Sequence, residues 1–257
     1  MYKAKTFEEI LLGNKHFFDS SHIEIKRWIN SQNKDFRRAL IKSHGYNRIV
    51  SMFDFDKLSI LEWFKDLNSL CIVSGSENEP ETNFLNFENL FTTSLIDGYD
   101  LTEDWGIEGF KNREILNSFD LVICNQVLEH VPDPIKAFNN LVLMAKSGGY
   151  VWVSIPIINR IHSEPNFYSS GYHPRYLKFL ADTAGLETIY IGAWGSLKYK
   201  LFAVSRNWPP YRKLKIGLRS NSDLLFPKGM FMNGAKLDNK HLVETWGLFR
   251  KLWLKYF

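Results

Sequence analysis

Four polar residues, Asn125, Gln126, Glu129 and His130, follow directly on the apolar run Phe119 to Cys124 (FDLVIC). A run of that length with β-branched residues reads as a strand buried on both faces. In open α/β sheets ligands bind at the carboxyl ends of the strands, so Asn125 and Gln126 are placed to line a pocket. A histidine titrates near neutrality and can take a proton from a reacting group, which makes His130 a candidate general base. Its other reading is a histidine that orients the loop, and Glu129 reads as a hydrogen-bond acceptor organising the same loop. A second polar group follows Pro156: His162, Glu164, Tyr168, Tyr172 and His173. Aromatic faces with polar tips suit a saccharide or another polar ring, and His173 is a second candidate base.

These residues need a frame. Asp133-Pro134 supplies an N-cap and a proline at the first helical position. Ile135, Phe138, Leu141, Val142 and Ala145 follow at helical spacing, with Lys146 and Gly148 as the stop. Tyr150 to Ile155 is another buried strand, and strand, helix, strand with short joints is a right-handed parallel crossover. Leu70 to Ser74 reads as the first, central strand and Asn86 to Ser94 as the second. His173-Pro174 opens a further helix that uses Leu177, Leu180 and Ala184 and stops at Gly185. Leu186 to Trp194 and Leu197 to Ser205 are the last strands, the final one antiparallel. Ahead of this core, Ser21 to Asn30, Asp35 to Ser43 and Asp56 to Leu67 read as helices. Behind it, His241 to Phe257 reads as a basic amphipathic helix bearing Trp246 and Trp253. Such a helix docks on its own domain or a second subunit, or lies on an anionic membrane.

FDLVICNQVLEHVPDP, then a helix, then KSGGYVWVSIP, resembles the class I S-adenosylmethionine-dependent methyltransferases, in particular their small-molecule and saccharide branch. The resemblance runs from about Leu70 to Val204 and is sharper in its second half. It implies a Rossmann-like seven-stranded α/β sheet, mostly parallel with the last strand antiparallel, and S-adenosylmethionine as cofactor. The family sets an acid near the end of the first strand and then a Gly-x-Gly loop. Here Gly75, Ser76 and Glu77 occupy that loop: Gly75 matches the first glycine, Val73 stands at the acid and Glu77 at the second glycine. Glu77 or Glu79 can return the missing charge from the loop. Asp97 is the candidate for the ribose hydroxyls, or else a plain turn residue beside Gly98. Asp100 and Leu101 resemble the segment that contacts adenine, with Trp105 either covering the ring or packing. Asn125 and Gln126 would line the methionine end. The spacing leaves room only for an abbreviated third strand.

The chain divides into a helical N-terminal cap (1–68), the Rossmann-like domain (69–206) and a basic aromatic C-terminal extension (207–257). Net charge is only +4. From Ala193 onward 13 Lys or Arg face Asp223, Asp238 and Glu244, so that region carries +10 (13 − 3) and the remainder −6 (4 − 10). The basic stretch fits an anionic partner or surface, or a solvated face. No nucleic-acid motif accompanies it, no zinc spacing is present, and no full G-x-G-x-x-G supports a nicotinamide enzyme. Cys71 and Cys124 fall inside strands as core thiols and fit a reducing cytoplasm. Met1 to Glu9 is too polar for a signal peptide.

The sequence thus predicts a cytoplasmic methyl transfer from S-adenosylmethionine to an oxygen or nitrogen of a small molecule, a sugar or sugar nucleotide in surface-polysaccharide synthesis. A peripheral membrane contact or a homodimer would run through the C-terminal helix. The rival is a methyltransferase-shaped scaffold that no longer uses the cofactor, for which Val73 and Glu77 speak.

Overall fold

The computed structural model describes residues 21–43, 46–59, 67–75, 79–105, 113–159, 165–194 and 243–252. Three helices lead: α1 (Ser21–Ser31), α2 (Lys34–Ser43) and α3 (Tyr46–Ser59). Strands β1 (Leu67–Val73), β2 (Phe87–Thr93) and β3 (Phe119–Asn125) follow, then α4 (Pro134–Met144) and β4 (Ala145–Pro156). Helix α5 (Pro174–Thr183), β5 (Leu186–Trp194) and β6 (Glu244–Lys251) are the last of the described elements. The sheet runs in the order β2-β1-β3-β4-β6-β5. Neighbours are parallel except β6, which is antiparallel to both β4 and β5.

Alternation along the strands builds two cores. Leu70, Ile72, Leu121, Ile123 and Trp152 face α1 to α3, where Ile25, Ile29, Met52 and Phe55 close over them. Cys71, Val73, Val122, Cys124 and Val153 face the other way, onto Phe138 and Leu141 of α4 and Leu177 and Leu180 of α5. Side chains one residue apart point to opposite faces, so each central strand serves both layers. Helix α3 is pinned to the sheet by Asp54, whose Oδ2 accepts from Tyr190 Oη at 2.6 Å and Trp246 Nε1 at 3.0 Å. Burial raises the proton affinity of Asp54 to a pKa of about 6, against the pull of those two donors. The helical lead-in is therefore one layer of the sandwich, sharing its core with the sheet.

Most expected elements stand where the pattern places them, and three differ. The helix expected over Asp56 to Leu67 is α3, Tyr46–Ser59, and Leu67 already opens β1. Its residues Ile49, Val50, Met52, Phe53, Phe55 and Leu58 are buried around much of the helix, which blurs the period a one-sided helix would show. Six strands, not seven, are present among the described residues, and no third strand stands outside β2.

The largest correction is at the end of the chain. Residues 244–251, expected as part of a basic helix, form β6 inside the sheet. Trp246 and Leu248 enter one core and Phe249 the other, a period of two that a strand buried on both faces does not display as hydrophobic alternation. The helix proposed as a membrane or subunit contact does not form over these residues. Part of the assigned C-terminal extension belongs to the sheet, and the antiparallel strand is supplied from there. The strand expected over 197–205 lies outside the described residues, as do Ser76, Glu77, His162 and Glu164. Among the described residues no helix is long and apolar enough to cross a membrane.

Candidate active site

The polar residues gather at the carboxyl edge of the parallel strands. Two non-glycine residues there, Ser74 after β1 and Gln126 after β3, hold left-handed backbone (φ 53° and 56°). Such conformations cost about 1–3 kcal/mol each and concentrate where a chain must turn sharply beside a ligand. Gln126 is fixed on both sides: its N–H donates to Ser154 O at 2.8 Å, and Nε2 reaches Ser154 Oγ and Glu244 Oε1, each at 3.3 Å. Asn125, the last residue of β3, buries both amide atoms without a hydrogen-bond partner. Leaving such atoms unpaired costs about 1–3 kcal/mol each, which a ligand can return.

Gly75 follows Ser74. A Cβ there would lie 2.4 Å from Ile72 Cγ2 and 3.1 Å from Glu79 Cγ, so only glycine leaves the turn its room. The turn then ends in a five-residue 3-10 helix, Pro80–Phe84, the only helix the described residues form between β1 and β2. Glu79 and Glu81 flank its start and close on Arg48 from α3. Arg48 pairs with Glu81 through both nitrogens, Nη2 at 2.8 Å from Oε2 and Nη1 on Oε1, and reaches Glu79 Oε2 at 3.2 Å. Burial works against the guanidinium's charge, yet Glu81 and Glu79 hold its proton more tightly than usual.

His130 sits on a short 3-10 turn, Leu128–His130. Its Nδ1 lies 2.6 Å from the carbonyl of Asn166, which fixes that nitrogen as the donor and leaves Nε2 as the basic lone pair. Nε2 is 4.0 Å from Glu129 Oε1. The Glu129 side chain is fully buried and neither oxygen meets a hydrogen-bond donor from another side chain. Burial, with Glu244 nearby, raises its pKa to about 8, so near neutral pH it is mostly protonated. The loop is organised by Glu129 through its backbone, not its carboxyl: its carbonyl accepts from Tyr168 N at 3.0 Å and Ser169 N at 3.2 Å.

The segment after β4 folds over this turn. Tyr172 Oη donates to Leu128 O at 3.3 Å and its N–H to Pro156 O at 2.8 Å. Gly171 (φ 142°) passes so close to Pro156 and Ile157 that a Cβ would meet their backbone at 2.5 Å. Tyr172 stacks on Tyr176 with centroids 5.0 Å apart, while Tyr168 is exposed. His173 caps α5 by accepting the Arg175 N–H on Nδ1 at 3.2 Å, and burial together with Arg175 depresses its pKa. One of its nitrogens is thus committed to the helix.

At the far end, Asp97 lies in an exposed turn and accepts from Ser94 Oγ at 2.5 Å. Asp100 Oδ1 accepts from Thr102 N and Oγ1, its carbonyl accepts from Trp105 Nε1, and Leu101 is buried. Trp105 is fully buried in the core, so it packs and covers nothing. Arg48, Glu81 and Glu244 were not singled out as site residues by sequence. The first two lie outside any motif, and Glu244 depends on β6.

A profile described as methyltransferase domain matches residues 8–190, well over half of the 257. The chain belongs to the methyltransferase-domain family. S-adenosylmethionine is the methyl donor of that family, and the carboxyl edge fits it. Asn125 brings buried amide atoms that meet no partner at hydrogen-bond geometry, and Glu79 sets a half-buried carboxylate against the Gly75 turn. Among curated relatives, this methyltransferase domain is 31% identical over 101 residues to a ubiquinone biosynthesis O-methyltransferase of Ralstonia nicotianae. The match takes in 33% of the chain and 42% of that protein, less than half of the relative's length. Among solved structures it is similar to phosphoethanolamine N-methyltransferase 2 of Haemonchus contortus in complex with S-adenosylmethionine (TM-score 0.45, 14% identity, 98% of this chain and 62% of that one). It is also similar to the N-methyltransferase NodS of Bradyrhizobium japonicum in complex with S-adenosylhomocysteine (TM-score 0.43, 10% identity, 90% and 98%).

Proposed function

We propose that the chain is an S-adenosylmethionine-dependent methyltransferase acting in the cytoplasm on an oxygen or nitrogen of a small polar molecule, a sugar or sugar nucleotide. The observation that carries the reading is His130, whose Nε2 is kept as a base by the Asn166 carbonyl and lies beside the Glu129 carboxyl. When bound, the donor supplies a methyl group already activated on a sulfonium. The chain's own part is to hold the acceptor in line and to take the proton that its hydroxyl or amine must lose. His130 Nε2 takes that proton. The imidazolium so formed, 4.0 Å away, favours ionisation of Glu129, which in turn stabilises it.

Tyr168 is exposed and its N–H binds Glu129 O next to this base, while Tyr172 is tied to Leu128 O; aromatic faces with polar tips suit the apolar side and rim hydroxyls of a sugar ring. The buried free thiols Cys71 and Cys124 suit a reducing compartment. The test is S-adenosylhomocysteine release from purified protein given the donor and a panel of sugars, sugar nucleotides and small amines. His130→Gln should lower kcat about 100-fold or more while cofactor affinity stays put. Full activity in that variant would remove the base assignment, and turnover of amines alone would remove the sugar.

A second reading has an observation of its own. The glycine loop runs into a five-residue 3-10 helix, and Val73 stands where an acid is expected, both of which suit a scaffold without the cofactor. Failure to bind S-adenosylhomocysteine at millimolar concentration would favour it.

A further inference from the structure

We propose that Glu79, aimed by Arg48 across the end of β1, supplies the carboxylate that holds the ammonium of the cofactor's amino-acid end. This rests on the reading of the carboxyl edge as an S-adenosylmethionine site and assigns a residue within it. An acid on β1 has no place here: Val73 points into the apolar layer under α4 and is 2% exposed. The charge has to come from elsewhere.

Arg48 brings two carboxylates to the end of β1, but they are not equivalent. Glu81 is fully buried and takes the guanidinium fork with both oxygens. That pair is neutral. Glu79 is the surplus acid, touching Arg48 through Oε2 alone, and its side chain keeps 24% of its exposure. Its Oε1 lies 3.4 Å from where a Cβ on Gly75 would stand, so the carboxylate sits against the turn that follows β1. Asn125 stands beside it on β3 and helps hold its proton affinity down, while both amide atoms of Asn125 meet no partner at hydrogen-bond geometry. Burial, and then Glu81, push the Glu79 pKa up against the pull of Arg48. The carboxylate is thus short of positive charge. An ammonium donates three N–H bonds; Glu79 Oε1 and Asn125 Oδ1 are acceptors of the right type on adjacent elements.

The test compares two ligands by calorimetry: S-adenosylhomocysteine, and 5′-methylthioadenosine, which has the adenosine and thioether but no amino-acid end. Glu79→Gln should weaken S-adenosylhomocysteine about 10- to 100-fold, the loss of one charge-assisted hydrogen bond. Methylthioadenosine should change by less than about twofold, since its binding omits that bond. Glu79→Asp, which keeps the charge on a shorter stem, should recover part of the loss. Equal weakening of both ligands would mean a collapsed loop and overturn the proposal. Unchanged binding of S-adenosylhomocysteine by Glu79→Gln would overturn it and leave the cofactor site standing. A wild-type protein that binds neither ligand would overturn both.

Discussion

The two ends of the sheet handle buried charge in opposite ways. At the amino edge, Lys251 is 7% exposed and its ammonium is fully occupied by Asn117 Oδ1 at 2.7 Å, Ala145 O at 2.8 Å and Val142 O at 2.9 Å. Nearby, Asp120 takes Lys146 on Oδ1 and the backbone N–H groups of Asn68 and Ser69 on Oδ2, which hold its pKa down although burial works the other way. At the carboxyl edge, Arg48 faces Glu79 and Glu81, Glu244 stands near, neither Glu129 oxygen meets a donor from another side chain, and the Asn125 amide meets no partner at hydrogen-bond geometry. One end has its polar groups matched; the other carries acceptors and acids in excess. A matched network stabilises the fold, whereas an unmatched one costs stability that only a ligand can return.

Substitutions should separate the ends. The largest effect is expected at Glu129. Its folded pKa, about 8, stands above its ordinary 4.5, so the folded state keeps a proton that the unfolded chain has lost. Stability therefore falls as pH rises from about 4.5 and levels off above about 8. Glu129→Gln removes that slope. Denaturant melts should show no gain at pH 4.5 and a gain on the order of 4 kcal/mol at pH 9. A gain independent of pH would mean that the carboxyl is not the source. Lys251→Met should do the reverse, costing about 3 kcal/mol by stranding three buried acceptors while leaving S-adenosylhomocysteine affinity unchanged. A matching loss of affinity would show that the ends are coupled. Gly75→Ala should displace Glu79 and weaken cofactor binding about tenfold, with a stability change near 1 kcal/mol. Smallest is Asp133→Ala, which removes the α4 cap onto Lys136 N and should cost about 1 kcal/mol, visible as a lower midpoint of unfolding with kcat intact.

Much of this was legible in the sequence, because the relevant signals are local. Asp133-Pro134 caps α4, His173 caps α5, and Phe119 to Cys124 is a strand, each decided by residues within a few positions of one another. What escaped depends on contacts between distant parts of the chain. Arg48 gains its meaning from Glu79 and Glu81, and Glu244 from Ser154 and Gln126, none of them neighbours in sequence. The segment ETWGLFRK reads as helical because Trp246 and Phe249 lie three apart, but a strand inserted between two others is apolar on both sides and hides its period.

That insertion also dictates an order of assembly. Among the described residues β5 is hydrogen-bonded only to β6, and β6 also pairs with β4. A chain emerging from the ribosome makes β4 and β5 before the strand that joins them exists, and that strand begins only at Glu244. Until then β4 and β5 lack the strand that joins them, the condition in which sheets recruit the wrong partner. The same late strand carries Glu244 into its contacts with Ser154 and Gln126. On the proposed reading, a site that includes Glu244 can bind only after β6 has joined the sheet, and so its occupancy reports that closure.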